Sequence, residues 1–320
     1  MGSQQQQLWT EKYRPINFST FLGQKDIIRK VQAMVGQQNI PHLLFAGPAG
    51  TGKTTLSLMI AKQIFGDTWK HNLLELNASD DRGIDIVRNQ IKDFARTKSL
   101  GTDLPKIIYL DECDSLTKEA QQALRRTMET YSHNTRFILS CNYSSKIIDP
   151  IQSRCAVFRF KPLQQEDIRN IINNIVKGEN ITIEKEAQQL LTTITEGDVR
   201  KTINILQGCA AVSPIITKKL VYETVGVAQP EEVREALVLA INKDFLKARD
   251  RLLNVMLNHG LSGLDIIKQI QQEIWKLDIP DERRVALTEK CGEVEFRMVE
   301  GSDAFLQLES LLASFVLAKP

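Results

Sequence analysis

The sequence has no long hydrophobic run and little excess charge. No stretch approaches the ~20 apolar residues that a membrane-spanning helix needs, and residues 1–7 lack the apolar run of a signal peptide. The formal net charge is only +2, far from the basic composition of a dedicated nucleic-acid binder. We therefore expect no contact with a membrane, and any contact with nucleic acid must be local or shared among several subunits.

Cysteine and histidine are also scarce, with five and four copies. No two cysteines form a CxxC pair and the histidines do not cluster with them, which argues against a zinc site. Reduced, buried thiols in a cytosolic protein are the simplest interpretation.

The first half of the chain alternates short apolar runs with helix-length segments. The runs have strand length and are mostly apolar, as expected of strands buried on both faces. They are residues 43–46, 73–76, 107–110, 137–139 and 157–160. This alternation predicts an α/β fold with a parallel sheet covered by helices.

After Pro162 the strand-like runs stop and helical periodicity takes over. A third helix of this part is expected from Val199 to Cys209, and Gln229-Pro230 breaks the pattern. From Glu231 onwards the pattern is again helical. A small helical segment and an all-helical C-terminal domain are therefore expected to follow the sheet.

A glycine-rich motif follows the first apolar run. Residues 47–54 read GPAGTGKT and match G-x-x-x-x-G-K-[ST] between a predicted strand and a predicted helix. In such a P-loop, backbone amides surround the β-phosphate and the lysine, Lys53, adds charge at the β- and γ-phosphates. The Thr54 hydroxyl is a magnesium ligand. The motif predicts binding of a nucleoside triphosphate with Mg²⁺.

An acidic pair, Asp111-Glu112, ends the apolar strand 106–110. Carboxylates in this position are costly unless they meet a cation, so Asp111 is expected to hold magnesium, directly or through water. Glu112 is then placed to polarise a water for attack on the γ-phosphate. A solvated strand end is the alternative, but the pair beside a P-loop favours ATP hydrolysis.

Two further residues have open interpretations. Asn142 ends another strand-like run and either orients the attacking water or simply begins a turn. Asp198 has the features of a helix N-cap, and Arg200 then faces either solvent or a nucleotide phosphate.

In order and spacing, these motifs resemble those of the replication factor C small subunits, the clamp loaders, most closely in their archaeal form. The boxes that carry the resemblance are 8–15 (LWTEKYRP), 77–83 (NASDDRG), 137–143 (FILSCNY, sensor 1), 153–155 (SRC) and 197–200 (GDVR, sensor 2). The resemblance covers nearly the whole chain.

The resemblance implies an AAA+ ATPase core over residues 1–162, a three-helix lid over 163–228 and a helical collar over 229–320. The collar would join five subunits in a ring, with a replication factor C large subunit and further small subunits as partners. The assembly would use ATP to load a sliding clamp onto primer–template DNA. It would work in the cytoplasm of an archaeon, or in the nucleus of a eukaryote.

The resemblance also assigns roles to individual residues. Asn142 and Arg200 would be sensors 1 and 2 at the γ-phosphate. Arg154 would be an arginine finger acting on ATP bound by the neighbouring subunit, although from the residues alone it could equally be a surface residue before a strand. Nucleotide contacts are expected from Thr10, Arg14 and Leu22 at the adenine and ribose, and from Gly47, Pro48, Ala49, Gly50, Thr51, Gly52, Lys53, Thr54 and Thr55 at the phosphates.

A basic row is the candidate contact with DNA. Arg88 and Lys92 are i,i+4 neighbours on a predicted helix, 84–95, with Arg82 just before its first turn. The usual meaning of such a row is a solvated face, but in the family this helix faces the template strand. The polar segment 97–104 is where the family touches the clamp.

Two other functions compete with clamp loading. One is a different AAA+ machine, such as a branch-migration ATPase, and the ordered family boxes argue against it. The other is a scaffold that binds nucleotide without useful hydrolysis, and the set Lys53, Thr54, Asp111 and Glu112 argues against that.

Overall fold

The computed structural model of the chain describes residues 8–80, 85, 87–226 and 228–317. They form two compact units, Met1–Ile216 and Thr217–Pro320. Within those described ranges, no helix is both long and apolar enough to cross a membrane.

The first unit is built on a five-stranded sheet in which every pairing is parallel, with strand order β2-β3-β4-β1-β5. All five predicted strands are confirmed. Their bounds are β1 His42–Ala46, β2 Leu73–Asn77, β3 Lys106–Asp111, β4 Thr135–Cys141 and β5 Cys155–Arg159.

The central strands β1, β3 and β4 are buried on both faces, which explains why they are mostly apolar, whereas β2 and β5 at the edges are partly exposed. In β1, Leu44 and Ala46 belong to one hydrophobic cluster, while Leu43 and Phe45 belong to another on the opposite face. Helices cover both faces, so the predicted parallel α/β core is confirmed. The helices of this unit are α1 Trp9–Lys12, α2 Lys25–Gly36, α3 Lys53–Phe65, α4 Trp69–Asn72, α5 Lys92–Arg96, α6 Lys118–Thr130, α7 Asp149–Gln152, α8 Gln165–Glu179, α9 Lys185–Ile194 and α10 Val199–Val212.

The helical segment after Pro162 corresponds to α8, α9 and α10. The carboxylate of Asp198 accepts a hydrogen bond from the Lys201 amide at 2.9 Å and caps α10, as predicted. One feature was not predicted, because strands were expected to stop at this point. Two-residue strands, β6 Thr182–Ile183 and β7 Ile215–Ile216, pair in parallel, and they are too short to leave a periodic signal.

The predicted helix 84–95 is described only in part. Its described portion is a π-helix, Val87–Ile91, followed by α5. Residues 97–104, the polar segment after α5, form a loop without helix or strand.

The second unit is helical around one hydrophobic cluster that includes Leu237, Ile270, Leu311 and Phe315. Its C-terminal helical architecture was predicted. The expected domain boundaries at 162 and 228 stay a prediction. The helices of this unit are α11 Lys218–Val225, α12 Pro230–Ile241, α13 Phe245–His259, α14 Gly263–Ile274, α15 Asp281–Val299 and α16 Ala304–Leu317.

Candidate nucleotide-binding site

A cavity of about 670 Å³ opens at the carboxyl ends of β1, β3 and β4. The P-loop follows β1, the acidic pair ends β3, and Asn142 follows β4, so the parallel sheet brings these three segments to one edge. The predicted residues that line the cavity are Thr10, Arg14, Leu22, Ala49, Gly50, Thr51, Gly52, Lys53, Thr54, Thr55, Asp111, Glu112, Asn142 and Arg200.

The P-loop needs glycine at two positions for two separate reasons. Gly50 and Gly52 have φ of +69° and +97°, which L-residues with a side chain rarely adopt. A Cβ on Gly50 would lie 1.8 Å from Asp198 Oδ1, and one on Gly52 would lie 2.5 Å from Phe21 Cζ. The Val199 amide also donates to the Gly50 carbonyl at 3.1 Å. The start of α10, which carries Arg200, therefore packs directly against the P-loop backbone.

Lys53 is buried at the first position of α3. Its ammonium donates to the Gly47 carbonyl at 2.6 Å, to the Pro48 carbonyl at 2.8 Å and to Asn142 Oδ1 at 3.1 Å. Burial lowers the pKa of Lys53, and the nearby Asp111 carboxylate opposes that change. Because all three acceptors are neutral, the anionic oxygens of a phosphate would be stronger partners for this cation.

The next residue, Thr54, meets the acidic pair. Its hydroxyl donates to Asp111 Oδ2 at 2.8 Å and accepts from the Tyr109 hydroxyl at 3.0 Å. Hydroxyl and carboxylate oxygens are the hard ligands that Mg²⁺ prefers. The pair Thr54 and Asp111 therefore fits the metal that the P-loop implies.

Glu112 occupies an unusual backbone conformation. Its φ is +51°, in the left-handed region, and its amide donates to Asp111 Oδ1 at 2.9 Å. Such a conformation costs roughly 1–3 kcal/mol for a residue other than glycine and is concentrated at functional sites. Because Glu112 is exposed and lines the cavity, its carboxylate is accessible to a water molecule there.

Asp114 belongs to the site although sequence reasoning missed it. Its two carboxylate oxygens accept from the amides of Asn142 at 3.4 Å and Tyr143 at 3.2 Å. It therefore ties the turn after Glu112 to the end of β4. The available signal was a third carboxylate, two residues after Glu112, on a 3-10 turn Cys113–Ser115.

The opposite end of the cavity is closed by α1 and the helices after Pro162. The Glu179 carboxylate accepts from the Tyr13 hydroxyl and the Lys12 ammonium, both at 2.6 Å, and the Trp9 amide donates to Gln207 Oε1 at 3.1 Å. Sequence reasoning missed Glu179 and Gln207. Apolar surface for a base is available from four residues that line the cavity, Leu163, Ile171, Ile175 and Ile203.

Arg154 lies outside this cavity, between α7 and β5. Its guanidinium donates to the Pro150 carbonyl at 2.7 Å and pairs with Glu129. Glu129 also pairs with Arg125 at 2.9 Å. The half-exposed side chain of Arg154 is therefore held on the surface by its own subunit.

The remaining predicted residues are not brought together in the described part of the chain. Gly47 and Pro48 contribute carbonyls to Lys53 but do not line the cavity. Arg82 lies outside the described residues, as does the side chain of Arg88. Lys92 is half-buried at the start of α5.

Two known protein families match separate parts of the chain. Residues 43–163 match the ATPase family associated with various cellular activities (AAA), and residues 228–314 match the Replication factor C C-terminal domain. The chain is 50% identical over 308 residues to a replication factor C small subunit of Methanococcus maripaludis strain S2, covering 96% of this chain and 98% of that protein. It is 49% identical over 319 residues to the small subunit of Sulfurisphaera tokodaii, covering 99% and 97%.

Among solved structures, the Thermotoga maritima RuvB Holliday junction branch migration motor is similar, with a TM-score of 0.55. It shares 19% identity over 72% of this chain and 79% of that chain, so the similarity shows the AAA+ fold alone. The relatives confirm the predicted family and its archaeal type. On its matched families and relatives, the chain belongs to the replication factor C small subunits, the AAA+ ATPases of multi-subunit clamp loaders.

Proposed function

We propose that this chain is a magnesium-dependent ATPase whose hydrolysis is stimulated jointly by primer–template DNA and a sliding clamp. It would work in a pentameric ring with a replication factor C large subunit and further small subunits, in the cytoplasm if its source is archaeal. The proposal rests on where the proposed catalytic groups lie. The nucleotide cavity gathers Lys53, Glu112, Asn142 and Arg200, whereas Arg154 is held outside it.

Within one subunit, the cavity residues bind ATP and prepare a water for attack. Lys53 and the P-loop amides bind the β- and γ-phosphates, and Lys53 exchanges its carbonyl partners for phosphate oxygens. Mg²⁺, when bound by Thr54 and Asp111, neutralises charge on those phosphates. Glu112 accepts the proton of the attacking water. Asn142 orients that water, and Arg200 contacts the γ-phosphate from the start of α10.

Arg154 completes the site of the neighbouring subunit in this proposal. A guanidinium fixed beside the γ-phosphate stabilises the charge that spreads over it in the transition state. Because Glu129 holds Arg154 on the surface, the guanidinium is available to a second subunit. Hydrolysis would then depend on ring geometry, since the finger reaches its target only when neighbouring subunits are aligned.

Contact with DNA is assigned to Arg82, Arg88 and Lys92. The support is their helical spacing and the family resemblance, and five copies of a small basic row fit the modest net charge of +2. Such contacts follow the phosphate backbone without reading bases. A charge reversal, Lys92→Glu, should weaken DNA binding by the assembled complex equally for all sequences. Lys219→Glu, in α11, is the matched control.

The test of clamp loading is the ATPase rate of the purified complex with DNA, with clamp, with both and with neither. Joint stimulation by DNA and clamp together is expected. A rate indifferent to both would overturn the proposal. Strand exchange on a four-way junction would instead favour the branch-migration alternative, with which this chain shares its fold.

Complementation between two inactive variants tests the arginine in trans. Lys53→Ala removes a subunit's own phosphate site, and Arg154→Ala removes only the finger, with a loss of roughly 10³-fold expected. In mixed complexes, an Arg154→Ala subunit beside a Lys53→Ala subunit regains one complete site, so activity should return. If Arg154 acts within its own subunit, the mixture stays inactive. Arg29→Ala, at an exposed pair with Asp26, controls for the loss of a surface arginine.

A further inference from the structure

Strand β3 has a tyrosine hydroxyl among the buried apolar residues at its centre. Tyr109 is fully buried between Ile108 and Leu110, yet its hydroxyl donates to Thr54 Oγ1 at 3.0 Å. A phenol in this position places a hydrogen-bond donor directly behind the P-loop threonine.

The hydrogen bonds of Thr54 restrict the orientation of its hydroxyl. A threonine hydroxyl has one proton and two lone pairs. The proton goes to Asp111 Oδ2 at 2.8 Å, and one lone pair accepts from Tyr109. One lone pair remains, on a residue that lines the cavity. With the other two directions occupied, the hydroxyl cannot rotate freely, and this lone pair keeps a fixed direction.

A simpler explanation is that Thr54 merely satisfies the buried phenol. Tyr109 has another neighbour, however, since the fully buried hydroxyl of Ser140 lies close enough to affect its pKa. The Ser140 oxygen makes no hydrogen bond of normal geometry within the described part of the chain. The phenol therefore bonds to the P-loop threonine although a second hydroxyl is nearby.

We infer that Tyr109 is a positioning residue for the divalent cation, holding the Thr54 hydroxyl so that its remaining lone pair is directed at the metal. This inference rests on the proposed magnesium site. Tyr109 would not touch the metal itself but would hold one of its ligands. Mutation of such hydrogen-bond partners typically lowers metal affinity 10–100-fold.

Tyr109→Phe tests the inference because it removes the hydroxyl and keeps the ring. The readout is binding of Mn²⁺ to the complex with ADP, followed by electron paramagnetic resonance, together with binding of a fluorescent ADP analogue in EDTA. We expect Mn²⁺ affinity to fall roughly 10-fold and metal-free ADP affinity to stay unchanged. Ser140→Ala and Tyr222→Phe, the latter at a buried tyrosine of α11, should leave both affinities at the parent values.

Three results would overturn the inference. Unchanged Mn²⁺ affinity in Tyr109→Phe would show that the hydroxyl does not position the ligand. An equal fall of Mn²⁺ and metal-free ADP affinity would show a general distortion of the P-loop. If the parent complex binds ADP equally well with and without Mn²⁺, the proposed magnesium site itself is wrong. This measurement on the parent therefore separates failure of the magnesium site from failure of the role of Tyr109.

Discussion

The two compact units differ in what they bury. The helical unit Thr217–Pro320 packs around an almost wholly apolar cluster. Its one buried charged side chain among the described residues, Glu273, has two cations beside it, Arg234 at 2.7 Å and Lys276 at 2.6 Å. The sheet unit Met1–Ile216 instead buries many polar groups: Thr51, Lys53, Ser57, Asn72, Lys106, Gln121, Thr127, Thr135, Ser140, Thr192, Thr195 and Thr202.

The difference in buried polar groups indicates which unit contains a chemical site and which unit mainly packs. Burying a polar group is unfavourable unless it is hydrogen-bonded, so a unit that only packs has little reason to contain many. In the sheet unit, two of these groups, Thr51 and Lys53, line the nucleotide cavity. The helical unit is therefore expected to respond to changes in apolar volume, and the sheet unit to changes in single polar atoms.

The largest expected effect is on catalysis in the sheet unit. Glu112→Gln removes the proposed base for the attacking water and should lower ATP hydrolysis by roughly 10²–10⁴-fold. ATP affinity should be retained because Lys53 and the P-loop remain. Single-turnover hydrolysis and nucleotide titration measure the two quantities. Glu119→Gln, at an exposed position of α6, is the control, and a Glu112→Gln rate equal to that of the parent would refute the assignment.

The helical unit should lose stability when a large apolar side chain is truncated. Phe315 is fully buried, and Phe315→Ala should lower the free energy of unfolding by about 3–5 kcal/mol. Phe296→Ala, at a position 63% exposed in the same unit, should change it by no more than about 0.5 kcal/mol. Urea denaturation measures both. Equal losses in the two variants would contradict the packing described for this unit.

A half-buried histidine should make the sheet unit sensitive to acid. His42 accepts a hydrogen bond from the Phe137 amide at 3.1 Å, and burial, aided by Arg136, lowers the pKa of His42 from 6.5 to about 4. Between these values the unfolded chain binds a proton that the folded chain does not. Stability should therefore fall as pH drops from 6.5 to 4, by about 3 kcal/mol in total from this group.

The difference between the parent and His42→Asn isolates that contribution, because asparagine keeps an acceptor but does not titrate. Urea denaturation at pH 7 and pH 5 should show a smaller loss in the variant than in the parent. His133→Asn, at an exposed histidine, should behave as the parent does. An identical pH dependence in all three proteins would exclude His42 as the cause.

The smallest expected effect comes from loosening the site without removing a reacting group. Asp114→Ala frees the amides of Asn142 and Tyr143, and displacement of Asn142, the proposed sensor, should lower hydrolysis roughly 10-fold. ATP affinity should change little. Asp114→Asn, which keeps an acceptor oxygen, should recover part of the loss in single-turnover assays. A loss of nucleotide affinity as large as the loss in rate would show a broader structural role.

Much of the sheet unit could be predicted because its signals are local. A strand buried on both faces is mostly apolar, and a P-loop is eight consecutive residues. Thr54 and Asp111 could be predicted as ligands of one metal because both belong to recognisable motifs. Asp114, Tyr109 and Glu179 could not be assigned, since their partners lie 28, 55 and up to 167 residues away along the chain.

The sequence by itself determined the alternation of strands and helices along the chain, the P-loop, the acidic pair and the family resemblance. Each of these depends on residue types at short, fixed spacing. Only the tertiary structure decided which side chains meet. It placed a tyrosine hydroxyl behind Thr54 and left Arg154 outside its own subunit's cavity. Such contacts depend on how parallel strands and helices distant in sequence pack, and no short-range pattern encodes that.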